Sequence, residues 1–178
     1  MDAQAIIDSL SPLVPGAVFE AAPSVDFTTV YVSGEHLVAT CQALRDSLNF
    51  ETLVEVTAAD YLPRAPRYEV VYHLLSVSKR LRLRLKVRVA NDGTLATVQG
   101  VYPGAGWLER EVWDMFGIVF DGHNDLRRLL MPEDWEGHPQ RKDYPVQIQK
   151  AAQTYAPLEV SEEQFRANLE RDRVKRTH

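Results

Sequence analysis

The chain has 178 residues, 45% of them hydrophobic, with 20 Lys and Arg against 25 Asp and Glu, a single Cys and a net charge of -5. That length suits one domain of ordinary size with some chain left for a tail, and the apolar fraction excludes a wholly disordered or collagen-like protein. One Cys forms no internal disulfide, cannot hold an iron–sulfur cluster, which needs about four ligands, and excludes a thiolate-rich zinc site, while the acidic balance argues against general nucleic-acid binding.

No apolar stretch approaches the roughly 20 residues of a membrane helix. Met1 to Leu10 carries Asp2 and Asp8 without a basic cluster, unlike a secretory signal, so the expectation is a soluble intracellular protein. Gln4 to Leu10 predicts a short helix stopped by Pro12 and Pro15. Val18 to Ala22 and Phe27 to Val32 read as strands, the second rich in β-branched residues. Ser33 is an expected N-cap for a helix whose apolar stripe is Leu37, Val38, Cys41, Leu44 and Leu48. Cys41 lies within that stripe and reads as a small buried hydrophobe.

Leu53 to Ala58 and Tyr68 to Val77 read as strands joined through Pro63 and Pro66. The clearest period follows: Leu81, Leu83, Leu85, Val87 and Val89 alternate with Arg82, Arg84, Lys86 and Arg88. The cationic face reads as solvated and paired with carboxylates of neighbouring strands; the competing reading is a docking surface for an acidic partner. No aromatic platform interleaves those arginines in sequence. Asn91-Asp92-Gly93 signals a tight turn, after which a strand near Leu95 to Val98 is expected to return antiparallel. His36 and His73 have no second ligand at useful spacing and read as structural. Together these elements predict an α+β domain: a mostly antiparallel sheet with helices packed on one side, followed by an extended irregular C-terminal arm.

Cofactor motifs are missing from the sequence. Gly104-Ala105-Gly106 opens like a dinucleotide fingerprint, but Glu109 stands where the third glycine belongs. There is no P-loop, no G-x-S-x-G elbow and no H-E-x-x-H. The expectation is therefore no cofactor.

A third helix is expected from about Ala105 to Phe116, stopped by Gly117, with Glu109 and Glu111 in its first turns and Arg110 and Asp114 spaced to pair. Asp121 to Pro145 then loses all periodicity, yet concentrates Trp, Tyr and Arg, the types enriched at interface hot spots. Its own apolar surface, Leu126, Leu129, Leu130 and Met131, is too small to offset an ordering cost of roughly 1–2 kcal/mol per residue. The expected boundary accordingly divides a core domain, 1–120, from an arm and tail, 121–178, that docks on partners.

These residues carry a specific resemblance. The run from Glu109-Arg110-Glu111 through Asp114-Met115-Phe116, His123, Arg127, Leu129-Leu130, Pro132, Asp134-Trp135, Gly137 and Arg141-Lys142-Asp143-Tyr144-Pro145 resembles the signature of the 30 kDa subunit family of NADH-quinone oxidoreductase, respiratory complex I. Asn124 replaces a usual proline and Gln140 a common leucine, departures that bear on local loop shape. The resemblance implies a hydrophilic peripheral-arm subunit that binds no redox centre and supports electron transfer from NADH to quinone. It would pack against the quinone-site and iron–sulfur subunits on the cytoplasmic side of the cell inner membrane in a bacterium, or on the matrix side in a mitochondrion, touching the membrane only through the complex. Its partner-docking candidates are Glu109, Arg110, Glu111, Asp114, His123, Arg127, Arg128, Trp135, Arg141, Lys142, Asp143 and Tyr144. Trp135 is expected to be an interface anchor, and Arg127 and Arg128 to meet carboxylates across the interface.

Two rivals stand beside this. One is a small metal-dependent hydrolase with His123, Asp125 and His138 as ligands and Asp143 or Glu133 as general base. The other is the equivalent subunit of a related membrane-bound hydrogenase or chloroplast-type dehydrogenase. Val160 to Leu169 reads as a short amphipathic run, and the basic end, Arg171, Arg173, Lys175 and Arg176, as either solvated or bound to an acidic surface.

Overall fold

The computed structural model describes residues 2–145 and, farther on, Ser161, Glu163, Gln164 and Arg166. The basic end of the tail and the rest of the run from Val160 to Leu169 lie outside the described residues. Asp2 starts the first helix, α1 (Ala3–Leu10), by accepting the Ala3 N–H at 2.7 Å, and Ile6 and Leu10 turn its apolar stripe inward. Then follow β1 (Phe19–Ala22), β2 (Thr28–Val32), one 3-10 turn (Gly34–His36) and α2 (Leu37–Asp46). The remaining elements are β3 (Thr52–Asp60), β4 (Tyr68–Ser76), β5 (Leu81–Val89), β6 (Thr94–Ala96), α3 (Ala105–Phe116) and β7 (Val119–Asp121).

Five strands form one sheet in the order β1-β2-β5-β4-β3. Every pairing is antiparallel except β2 with β5, so the sheet is mostly antiparallel as the sequence implies. The register sets Leu83 against Leu74, Leu85 against Tyr72 and Val87 against Val70, all on one face. Leu37, Cys41 and Leu44 of α2, Ile6 and Leu10 of α1, and Ala105 and Val112 of α3 belong to the same buried cluster as that face. One apolar side of the sheet thus takes the helices, because the period-2 strand and period-3.6 helix stripes each offer one face to bury. Cys41 is fully buried, and burial followed by the charge of Glu109 pushes its thiol up to about 12, which leaves it unreactive as a nucleophile.

The opposite face of the sheet carries the cations. Arg84 pairs with Asp26 at 3.1 Å, Lys86 with Glu69 at 2.9 Å and Arg88 with Glu20 at 2.9 Å. The paired-face reading holds for these three. An aromatic platform exists after all: parallel pairing of β2 with β5 brings Phe27 beneath Arg84 and Tyr31 beneath Arg88.

Two local expectations are corrected. Ser33 makes no cap bond to the backbone; its hydroxyl meets His36 Nδ1 at 2.9 Å, and a 3-10 turn comes before α2. After the tight turn closed by Gly93 N–H on Ala90 O, β6 does not return along β5. It pairs in parallel with β7 as a separate two-stranded sheet. Leu95 is drawn into the core and Glu109 holds the Val98 N–H, so tertiary burial overrides the hairpin signal. The compact unit also runs past the expected boundary at 120, through Tyr144.

Candidate docking surface

α3 ends where glycine lets it. Gly117 adopts a φ of 75°, its N–H closes on Trp113 O at 2.8 Å, and a Cβ there would run into Arg141 and His138. The chain then passes through β7 and folds back over α3 without regular structure, so its backbone groups need other partners. Three charged hubs supply them.

The first hub is Asp114, fully buried on α3. Its Oδ2 accepts three consecutive backbone N–H groups, from Leu129 at 3.0 Å, Leu130 at 2.7 Å and Met131 at 2.9 Å. Arg128 Nη1 donates to Oδ1 at 2.9 Å. Burial pushes the Asp114 carboxyl up, but the three N–H donors and Arg128 outweigh it and the net shift is downward, so the group is ionised. Arg110, one turn earlier, is the second. Its Nε donates to Arg127 O at 2.8 Å and its Nη2 to Arg128 O at 2.7 Å, while Nη1 approaches Asp125 at 3.4 Å. Arg110 and Asp114 therefore do not pair with each other as their spacing suggests; each holds a different stretch of the same loop.

The third hub lies at the far end. Arg67 is nearly buried and grips Asp60 with Nη2 at 2.7 Å and Nε at 3.0 Å, and Asp143 with Nη2 at 2.7 Å and Nη1 at 3.0 Å. Asp60 also accepts the Lys142 N–H at 2.8 Å. The Arg67 guanidinium, against the opposing effect of burial, holds the Asp60 carboxyl well below the usual carboxylate range. Between the hubs, Gln140 N–H donates to Met115 O at 3.0 Å, Arg141 Nε to Phe116 O at 2.5 Å and His138 Nδ1 to Asp114 O at 3.0 Å. His138 also packs edge-on against Trp113.

The candidates therefore separate. Glu109, Arg110 and Asp114 face inward; Glu109 lies beyond the first turn of α3, where it accepts from Thr97 Oγ1 at 2.5 Å and Val98 N–H at 2.8 Å. Burial raises the Glu109 pKa, against the hydrogen bonds and the nearby His123. Arg128 meets its carboxylate within the chain, and its Nη2 donates to Trp135 O at 2.7 Å. Trp135 is half-buried and stacks on Tyr144, with ring centroids 6.4 Å apart, so it belongs to the loop's internal structure. Arg141 is half-buried, while Glu111, Lys142 and Asp143 are exposed. Arg127 meets Asp125 at 2.9 Å and stays largely in solvent.

Sequence reasoning missed four residues. Asp60 and Arg67 had a legible signal: Asp60 continues the inward series Val56, Ala58, where a carboxylate demands a buried cation. Trp107, 63% exposed under the Arg110 guanidinium, and Leu130, 61% exposed, are the large apolar side chains that this loop and the start of α3 show to solvent. No periodicity marks them.

The metal-site residues are not brought together. His123 Nε2 donates to Gly106 O at 2.9 Å while its Nδ1 accepts the Asp125 N–H at 3.0 Å, which occupies both ring nitrogens. Among the described residues no three His, Cys, Asp or Glu side chains form a group able to hold a metal ion.

Comparison with known proteins agrees with the motif. Residues 30–150 match the model of the "Respiratory-chain NADH dehydrogenase, 30 Kd subunit" family. An NADH-quinone oxidoreductase subunit from Roseiflexus sp. is 43% identical over 158 residues, 87% of this chain and 91% of that protein. Its counterpart from Geotalea uraniireducens is 49% identical over 120 residues, covering 67% and 73% respectively. In three dimensions, a chain of the membrane-bound sulfane sulfur reductase, an archaeal respiratory membrane complex, superposes with a TM-score of 0.68 at 26% identity, over 80% of this chain and 85% of that one. With the signature segment, the α+β core and the aligned length all in agreement, this chain belongs to the 30 kDa subunit family of respiratory-chain NADH dehydrogenase.

Proposed function

We propose that this chain is a non-catalytic peripheral-arm subunit of proton-translocating NADH:quinone oxidoreductase. It supports electron transfer from NADH to quinone by docking to the quinone-site and iron–sulfur subunits. One observation supports this most: buried ionic hubs hold an irregular segment in a defined form against its own chain. Such an arrangement presents Trp107, Glu111, Arg127, Leu130 and Lys142 in one preset form, which lowers the entropy lost on binding. The names of the relatives support the choice of complex. The location that follows is the cytoplasmic side of the inner membrane, held through the complex; among the described residues no helix is long and apolar enough to cross a membrane.

Co-purification from native membranes tests the reading. The expected result is retention of the quinone-site and iron–sulfur subunits with this chain, and no NADH oxidation by the chain alone. Turnover by the pure chain, or its isolation without respiratory subunits, would contradict it. The likeness to the sulfane sulfur reductase chain supports a second reading, the equivalent subunit of a related membrane-bound complex. Identification of the retained catalytic subunits separates the two.

A further inference from the structure

The outer face of the sheet, away from the helices, is evenly neutralised along most of its length and then stops being so. Arg84, Lys86 and Arg88 each have a carboxylate. Arg82, the next cation along β5, has none among the described residues and lies only against the Phe27 ring at 5.7 Å. The turn that joins β4 to β5 adds Lys79, whose Nζ meets only the Leu48 carbonyl, and Arg80, which is exposed. The carboxylate nearest that turn in the bonding pattern, Glu51, is engaged by the Val77 and Ser78 N–H groups. Three cations without an ion-pair partner among the described residues thus lie at this end of the sheet, against the carboxylates of Glu51 and Glu55, on a chain of net charge -5.

Beside them opens a cleft of about 310 Å³. Phe27, Val54 and Leu75 give it an apolar lining, with Arg82 and Glu55 as charged walls and His73 set edge-on to Phe27. Val54 is 55% exposed because the β3–β4 register slips between Leu53 and Glu55. Val77, at the turn, is exposed as well. Leu75 and Phe27 lie outside the buried cluster, and the Phe27 ring, covered by the Arg82 and Arg84 guanidinium groups and met edge-on by His73, also lines this cleft.

We propose that this end of the sheet is a second docking site, whose occupant is an acidic amphipathic segment of a protein partner. An apolar side chain of the partner enters the cleft and its carboxylates meet Arg82, Arg80 and Lys79. A second copy of this chain would set the same three cations against each other, which opposes self-association. A concave cleft of this size suits a side chain better than a flat lipid surface. The site is separate from the motif segment and does not depend on it.

The test uses the full chain and two synthetic amphipathic peptides with the same apolar face, one carrying Glu and Asp and the other Lys. Amide chemical shifts are followed by NMR. The acidic peptide is expected to move the signals of Val54, Leu75 and Arg82 and to bind about tenfold tighter, or more, than the basic one at low salt. Arg82→Glu should abolish that preference, and Val54→Asp, at an exposed bulge, should weaken both peptides with the melting temperature kept. Trp107→Ala should change neither. Equal binding of the two peptides would overturn the proposal. So would a response confined to phosphatidylglycerol vesicles, or shifts that follow protein concentration alone.

Discussion

The two faces of this molecule that carry the most charge are built on opposite terms. On the outer face of the sheet, cations and carboxylates alternate across strands; the Arg84–Asp26 and Arg88–Glu20 pairs are open to solvent, and the Lys86–Glu69 pair between them is partly covered. Over α3 the charges are turned inward, and each meets several backbone groups at once. Exposed pairs gain little, because water screens them and both side chains lose freedom. Buried hubs are different: removing one partner strands the other without solvent, at about 3–5 kcal/mol. The lesson is that charge on the sheet face adjusts solubility and recognition, whereas charge at α3 determines whether the signature segment has a shape at all.

That contrast can be broken or sharpened experimentally. The largest effect is expected from Asp114→Ala, which leaves three consecutive N–H groups without an acceptor and Arg128 without its carboxylate. It should lower stability by about 3–5 kcal/mol in urea unfolding and release the Leu129–Met131 amides to hydrogen exchange. Protection that persists would mean the loop is held by something other than this hub. Asp60→Asn follows, at about 3 kcal/mol, since the half-exposed Asp143 is then the one carboxylate left to Arg67, beside the neutral Asn91 side chain. Trp107→Ala should weaken assembly with partner subunits by about 2 kcal/mol in a binding titration, yet leave the melting temperature of the free chain nearly unchanged. Arg88→Gln on the sheet face should alter neither quantity detectably, and a clear loss of stability there would undo the comparison.

The pH dependence has a sign for each hub. Asp60 and Asp114 have folded pKa values below their unfolded ones, so their contribution is complete above about pH 4 and is lost as acid takes the pH down through the folded values. Glu109 runs the other way. Its raised pKa means that its contribution is present below about pH 4 and declines as pH rises through the folded value. Glu109→Gln should therefore flatten the stability profile on its alkaline side and leave the acid limb alone, as pH-dependent melting would show.

Much of the fold was legible in sequence. The alternation from Leu81 to Val89 sets the inward and outward faces of β5, and Gly117 ends α3 where the apolar spacing stops. The signature residues announced the family before any contact was known. Their roles were not legible. Trp135 has the composition of an interface anchor, but its ring stacks on Tyr144 and its carbonyl holds Arg128, which makes it part of the loop's own frame. Arg110 and Asp114 have the spacing of a surface pair, yet a loop that returns over them supplies better partners to both.

The chain's local pattern determined where strands and helices lie and which side of each is buried, because side-chain periodicity reports burial directly and depends only on near neighbours. Tertiary structure alone decided that β6 joins β7 and that Arg67 takes Asp60 and Asp143 together. It also decided that the irregular segment through Tyr144 is framed by its own chain. The reason is physical: an ion pair or hydrogen bond specifies a distance in space, and any of several carboxylates along a sequence could meet that distance until the fold selects one.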